Sequence, residues 1–431
     1  MAPRQTRDNE RQKNQAPGFG CEGRAFDHAG AHDAGPLVAS RPDPPAAAEL
    51  PRSQERFAIG ALALAAFSLN LNTNVLGALL PFIRVDLAFG DGDAKYLVAA
   101  AAFGSAFGAL GAGPLADRLG RRAVLLAGLV AFAALSLAHL PVRSLWPFLL
   151  LRTGSGAAVG LAYAAASALA AEVAPYSRRG SAMGAFTAGM FLAVPVGMPL
   201  SVAFANGGYW PGIFGVQAAM GAIGCWWVLR ALPGSHQHVE RVSFRSVLRN
   251  GPVCAGLFAT MLHVGSFFTT VQLATTWLDE TGRVAKEDQM LLWVGLGVAS
   301  VLGSALLGRL SDRVGKRNFV LTTSVVLVAC FILLAREPGP WLMIAEGALL
   351  AVSAAARTGP LQALVSGLVP SPQFATLMGL RGFVMQLGVV GFALGAAPVA
   401  SRLGFRGVLL MAAGCQLLSY VSIRFGVREG K

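Results

Sequence analysis

The chain has 431 residues, of which 54% are hydrophobic and only 13% are Asp, Glu, Lys or Arg. A soluble globular chain carries about 25% charged residues, so the composition argues against a soluble multidomain protein of this length. The net charge of +13 would suggest a nucleic-acid partner in a soluble protein, and the placement of the charges decides whether that reading survives.

Residues 1–56 are polar, rich in Pro, Gly and Ala, and hold 8 basic against 8 acidic residues. They lack an apolar core followed by a cleavage site, so no secretory signal is expected. The composition predicts a disordered tail. From Phe57 onward, apolar runs of about 20 residues alternate with short polar gaps; at 1.5 Å per residue each run crosses the ~30 Å hydrocarbon core. In lipid the backbone groups must be satisfied internally, so runs this long predict helices. The expected spans are 57–80, 96–116, 123–142, 145–171, 181–205, 211–232, 252–278, 289–308, 318–335, 341–368, 375–398 and 406–425. The expected fold is all-α integral membrane, with twelve transmembrane helices. Its parts are a tail (1–56), a six-helix bundle (57–232), a linker (233–251), a second six-helix bundle (252–425) and a short end (426–431).

Lys and Arg set the orientation. With both termini on one side, the gaps on that side hold 16 basic residues and the opposite gaps 8. The positive-inside rule then puts both termini in the cytoplasm. The tail is neutral, so the whole excess charge lies in the membrane body and marks topology, not a nucleic-acid surface. Cys21, Cys225, Cys254, Cys330 and Cys415 are far apart and form no C-x-x-C pair, which argues against a disulfide framework or zinc site.

One pattern occurs twice. Gly113-Pro-Leu-Ala-Asp117-Arg118-Leu-Gly120-Arg121-Arg122 follows the second span, and Gly308-Arg-Leu-Ser-Asp312-Arg313-Val-Gly315-Lys316-Arg317 follows the eighth, at an offset of 195 residues. The two sets of six spans therefore read as two copies of one unit, a mark of secondary transporters. Gly113 and Gly308 allow a neighbouring helix to approach closely. Asp117 and Asp312 can pair with the adjacent basic residues or face a helix N-terminus, where negative charge is favoured. Such a cluster can latch one conformer and release in another.

This duplicated segment resembles the signature loop of the major facilitator superfamily, and the resemblance covers roughly 57–425. It implies two six-helix bundles around a central cavity, with alternating access by rocking. It also implies that the loop acid holds the cytoplasmic side closed through the start of the eleventh helix, here Gln373–Leu380. Arg152-Thr-Gly-Ser-Gly156 is similar to the R-x-x-x-G element of proton-driven facilitators, and the Glu172-Val-Ala-Pro175 and Ser177-Arg-Arg-Gly180 that follow it are similar to elements of drug and sugar efflux members. Ala193-Val-Pro195-Val-Gly197-Met-Pro199 matches the antiporter element only in part: one Gly is Ala193 and the final Gly pair is missing. Pro195 and Pro199 are expected to kink the fifth span.

No P-loop is present, so the energy is expected from a gradient and not from bound ATP. No G-x-S-x-G or H-E-x-x-H occurs, and no enzyme activity or cofactor is expected. Proton coupling needs a titratable group within the membrane. The candidates are Glu346, about 8 Å into the tenth span, and His263, near the middle of the seventh. Asn70 and Asn74 share a face of the first span and are expected to line the cavity or to bond between helices. Thr269 and Gln272 are the candidates on the seventh span. Arg152, Arg357 and Arg381 lie inside spans, where a charge is costly and faces a cavity or partner; with Gln386 they predict a positive cavity suited to an anion.

The expectation is thus a monomeric secondary transporter in the cell inner membrane, exporting a small organic solute, with protons as coupling ion. The alternatives are an uptake carrier or exchanger for organic anions and, more remotely, a non-transporting sensor.

Overall fold

The computed structural model describes residues 51–87, 94–232, 243–282, 284 and 286–427. Most of the expected tail, residues 233–242 of the linker and residues 428–431 lie outside the described residues. The first six long helices are α1 (Arg52–Asp86), α2 (Ala94–Leu119), α3 (Arg121–His139), α4 (Leu145–Val173), α5 (Arg179–Asn206) and α6 (Gly212–Ala231). A short helix, α7 (Phe244–Leu248), precedes α8 (Gly251–Thr281), α9 (Lys286–Val314), α10 (Lys316–Leu334), α11 (Pro340–Ser366) and α12 (Phe374–Gly426). Two 3₁₀ turns, Tyr176–Arg178 and Ser371–Gln373, lead into α5 and α12. No strand occurs among the described residues.

The α12 segment has 53 residues, about 80 Å of helix, too long for one crossing of a ~30 Å core. It is two spans joined at Gly404, whose φ of 62° and ψ of −165° reverse the chain. With α1–α6 and α8–α11 the described residues hold twelve spans. Helical bonding continues closer to the bend than the expected gap at 399–405 allowed, because the glycine alone supplies the turn.

Two boundaries differ from expectation. Helix α1 starts at Arg52 and not at Phe57; its first turn is held by Glu55, whose carboxylate accepts from Arg178 at 2.8 Å. The duplicated motif is not a loop. Asp117 ends α2 and Asp312 ends α9, inside helix. Each connection is one glycine, Gly120 (φ 84°, ψ 146°) and Gly315 (φ 92°, ψ 132°), in extended positive-φ space that costs a residue with a Cβ roughly 1–3 kcal/mol. Arg121 and Lys316 then open the next helix.

Small residues let the helices touch. A Cβ added at Gly104 or Gly108 of α2 would lie 2.0 Å from the carbonyls of Thr153 or Ala157 on α4. Gly156 and Gly160 of α4 meet Ala101 and Ser105 of α2 in return. In the second half, Gly265 of α8 and Gly388 of α12 make the same exchange. Between lipid-exposed helices the driving force is packing and not water exclusion, so backbone approach of this kind is what holds them together.

Candidate functional site

The two glycine turns and the two 3₁₀ turns lie at one end of the helices, called here the motif end. Asp312 caps α5: the N–H groups of Gly180 and Ser181 donate to its carboxylate at 2.9 and 2.7 Å. Those N–H groups have no partner within their own helix, and the helix N-terminus favours negative charge. Lys316 approaches the same carboxylate at 3.2 Å and sits 4.2 Å above the Tyr176 ring.

The offset of 195 residues explains the rest of this end. It relates Lys316 to Arg121 and Tyr176 to Ser371. Lys316 of the second half covers Tyr176 of the first, and Arg121 of the first half donates to the Ser371 carbonyl of the second. Arg121 also pairs with Glu172 at 2.6 Å. The same offset relates Arg179 to Phe374, and these two meet each other, the guanidinium 5.1 Å from the ring centre. The motif end is therefore closed by contacts that cross between repeat-related elements.

The glycines of the motif take part in this closure. A Cβ at Gly308 would stand 2.9 Å from the Gly180 carbonyl and 3.1 Å from Gly184 Cα; one at Gly113 would stand 2.9 Å from Thr376. The end of α2 thus packs through Gly113 on the start of α12, the region 373–380 singled out in the sequence. Beneath the α5–α9 contact, the hydroxyls of Thr187 and Ser304 lie 2.5 Å apart, and Ser304 donates to the Gly184 carbonyl at 2.9 Å. Arg118, Arg122, Arg313 and Arg317 flank the turns; Arg122 donates to the Leu229 carbonyl and Arg317 to those of Arg424 and Val427.

Toward the opposite end, α8, α9, α10, α11 and the second part of α12 surround a cavity of about 220 Å³, which Asn74 of α1 and Phe191 of α5 reach from the first half. That volume is below the roughly 300–1,000 Å³ usual for ligand pockets. Trp277, Trp293, Phe267 and Phe268 supply much of its wall. Phe405 stacks on Trp277 with ring centres 4.9 Å apart, and Phe191 stacks on Phe268 across the two halves at 6.3 Å.

Of the ten residues nominated for substrate and coupling, Asn74 and Gln272 line this cavity. Both nominated asparagines also bond their own helix: Asn74 donates to the Asn70 carbonyl at 2.9 Å and Asn70 to that of Ala66 at 3.3 Å. Thr269 donates to the Val389 carbonyl at 3.4 Å. Gln386 is half-buried on α12, away from the cavity lining.

None of the three arginines, expected to make the cavity positive, lines this one. Each is turned into helix packing, where a few polar groups take part of its donors and its buried Nε has no partner. Arg152 donates to Asn72 Oδ1 at 2.7 Å and to the Asn72 carbonyl at 3.2 Å. Arg357 donates to Gln416 Oε1 at 3.2 Å and Ser419 Oγ at 2.7 Å. Arg381 lies beside the Tyr163 hydroxyl. His263 belongs to the Arg357 cluster, with Gln416 Nε2 3.2 Å from its Nδ1 and 2.8 Å from Ser266 Oγ. Glu346 is the one carboxylate in the buried class among the described residues, and its Oε2 has no hydrogen-bond partner.

The sequence reading missed three kinds of residue. Asn72 stood within the Asn70–Asn74 run with no sign that it, and not its neighbours, meets Arg152. Tyr176 and Ser371 share a repeat position but not a residue type, so only the register links them. The wall aromatics resemble lipid-facing ones until the helices are assembled.

The description Major Facilitator Superfamily belongs to a family model that matches residues 62–282 and 283–430. A probable sugar efflux transporter of Helicobacter pylori (strain G27) is 24% identical over 383 residues, covering 87% of this chain and 97% of that one. The multidrug resistance protein MdtG of Dickeya zeae is 25% identical over 338 residues, covering 72% of this chain and 80% of that one. The fold matches the crystal structure of the human organic anion transporter MFSD10 (TETRAN), with a TM-score of 0.69 at 18% identity over 87% of this chain and all of that one. The protein is a multi-pass membrane transporter and not an enzyme. The chain belongs to the Major Facilitator Superfamily.

Proposed function

We propose that the protein exports a small organic solute from the cytoplasm by alternating access, driven by protons moving inward. The observation that carries this reading is the arrangement of the two ends. The motif end is sealed by reciprocal contacts between the repeats, while a cavity sits toward the other end. The positive-inside count makes the motif end cytoplasmic, so this conformer faces outward. Asp117 and Asp312, with Gly113, Gly308 and the basic residues after each glycine turn, act as the gate. Its bonds are short, polar and at the water boundary, where hydration replaces them when the end opens. The export direction follows the relatives named for efflux.

Glu346 carries the proton. It is buried one helical turn from Met343 and Leu350, both of which line the cavity. An acid inside a span, with one oxygen left without a partner, is the group placed to exchange a proton when the wall opens to water. Reconstitution into liposomes tests this. Flux should respond to an imposed pH gradient in the wild type. Glu346→Gln should lose that response and keep downhill exchange. Wild-type flux indifferent to the gradient would overturn the coupling.

A further inference from the structure

We infer that the solute is a flat aromatic molecule with no negative charge, neutral or cationic, and neither a sugar nor an organic anion. This rests on the cavity being the seat of the transported solute. Three observations point the same way.

The first is shape. Trp277 is stacked with Phe405, at 21° between the ring planes, and both line the space together with Trp293 and Phe267. A wall of fixed rings favours a flat π-system, which gains from offset or edge contact beyond its buried area. A cation adds attraction to the ring faces. The second is charge. Among the described lining residues, Glu337 is the one charged side chain, and no Lys, Arg or His is present. An organic anion entering would lose its hydration with no cation to replace it. The buried arginines that seemed to offer one are bonded elsewhere.

The third is hydrogen-bonding capacity. A sugar carries a hydroxyl on nearly every carbon, and each one desolvated without a partner weakens binding. The described polar side chains in the lining are few, and two already donate to their own helices: Asn74 to Asn70 and Ser300 to Leu296. Thr270 Oγ1 is buried and unpartnered. One hydroxyl of that kind suits a single polar substituent and not a ring of them.

The test uses three probes on the purified full chain: 1-pyrenemethylammonium, 1-pyrenecarboxylate and glucose. The pyrenes share one ring system and differ in charge. Saturable binding of the ammonium probe is expected, with the carboxylate at least tenfold weaker and glucose unable to compete. Trp277→Ala should weaken the ammonium probe by about tenfold or more, and Trp277→Phe should recover most of the loss, which separates stacking from misfolding. Equal or tighter binding of the carboxylate, competition by glucose, no binding of the ammonium probe, or an unchanged affinity in Trp277→Ala would each overturn the assignment. Flux in liposomes keeps this result apart from the transport reading. Ammonium-probe binding without flux would support the solute class and count against transport. Glucose or carboxylate flux without ammonium-probe binding would do the reverse.

Discussion

Neutralising Asp312 should loosen the motif end by a calculable amount. Its carboxylate accepts two backbone N–H groups at the start of α5, at 2.9 and 2.7 Å, and contacts Lys316 at 3.2 Å. A hydrogen bond to a charged group contributes ~1.5–3 kcal/mol and a neutral one ~0.5–1.5; the two N–H groups use different carboxylate oxygens, and an amide NH2 cannot accept, so Asp312→Asn weakens one bond by about 1–1.5 kcal/mol and loses the other, about 1.5–3. The lost charge at the helix N-terminus adds about 0.3–1 kcal/mol. The total is about 4 kcal/mol, or roughly a thousandfold in the ratio of closed to open conformers at this end. The side chain is 13% exposed, so salt should screen the effect little. Amide hydrogen exchange reads it directly. Peptides covering Arg179–Thr187 and Ser304–Lys316 should exchange up to roughly a thousandfold faster in the variant, while those from the buried middle of α4 should not change. Unchanged exchange at Gly180 and Ser181 would refute the reasoning, since those N–H groups would then be protected by something other than the carboxylate.

Gly315→Ala places a Cβ at φ 92° and ψ 132° and should cost ~1–3 kcal/mol, seen as a lower melting temperature in detergent; no shift would mean the turn relaxes freely. Arg357→Lys cannot hold both Gln416 and Ser419, so about 1–3 kcal/mol of stability should go. Solute affinity should stay within about twofold in that variant. A large fall in affinity with full stability would return Arg357 to the binding site.

The sequence and structure agree where the physics is local or periodic. The spans were legible because lipid demands long apolar helices, and the repeat because its Asp, Arg and Gly survive at one offset. The gate was half legible. The offset placed Asp312 at the motif end, but nothing in the residues said that its partner would be the backbone of Gly180 and Ser181, which has no side-chain signature. The cavity was the least legible. A buried arginine reads as a ligand for an anion until its neighbours are known. Asn72, Gln416 and Ser419 are ordinary polar residues, and only the packing of α1, α11 and α12 turns them into acceptors. Trp277 and Trp293 gave no signal at all, because an aromatic residue in a membrane span looks the same whether it faces lipid or a solute.

Alternating access is the central claim, and a cross-link across the motif end tests it most directly. The Thr187 and Ser304 hydroxyls lie 2.5 Å apart between α5 and α9, close enough for cysteines there to form a disulfide of ~2.05 Å. The Thr187→Cys, Ser304→Cys protein, oxidised in liposomes, should lose solute flux and regain it on reduction, because the cytoplasmic end can no longer open. Undiminished flux with the disulfide quantitatively formed would contradict the account.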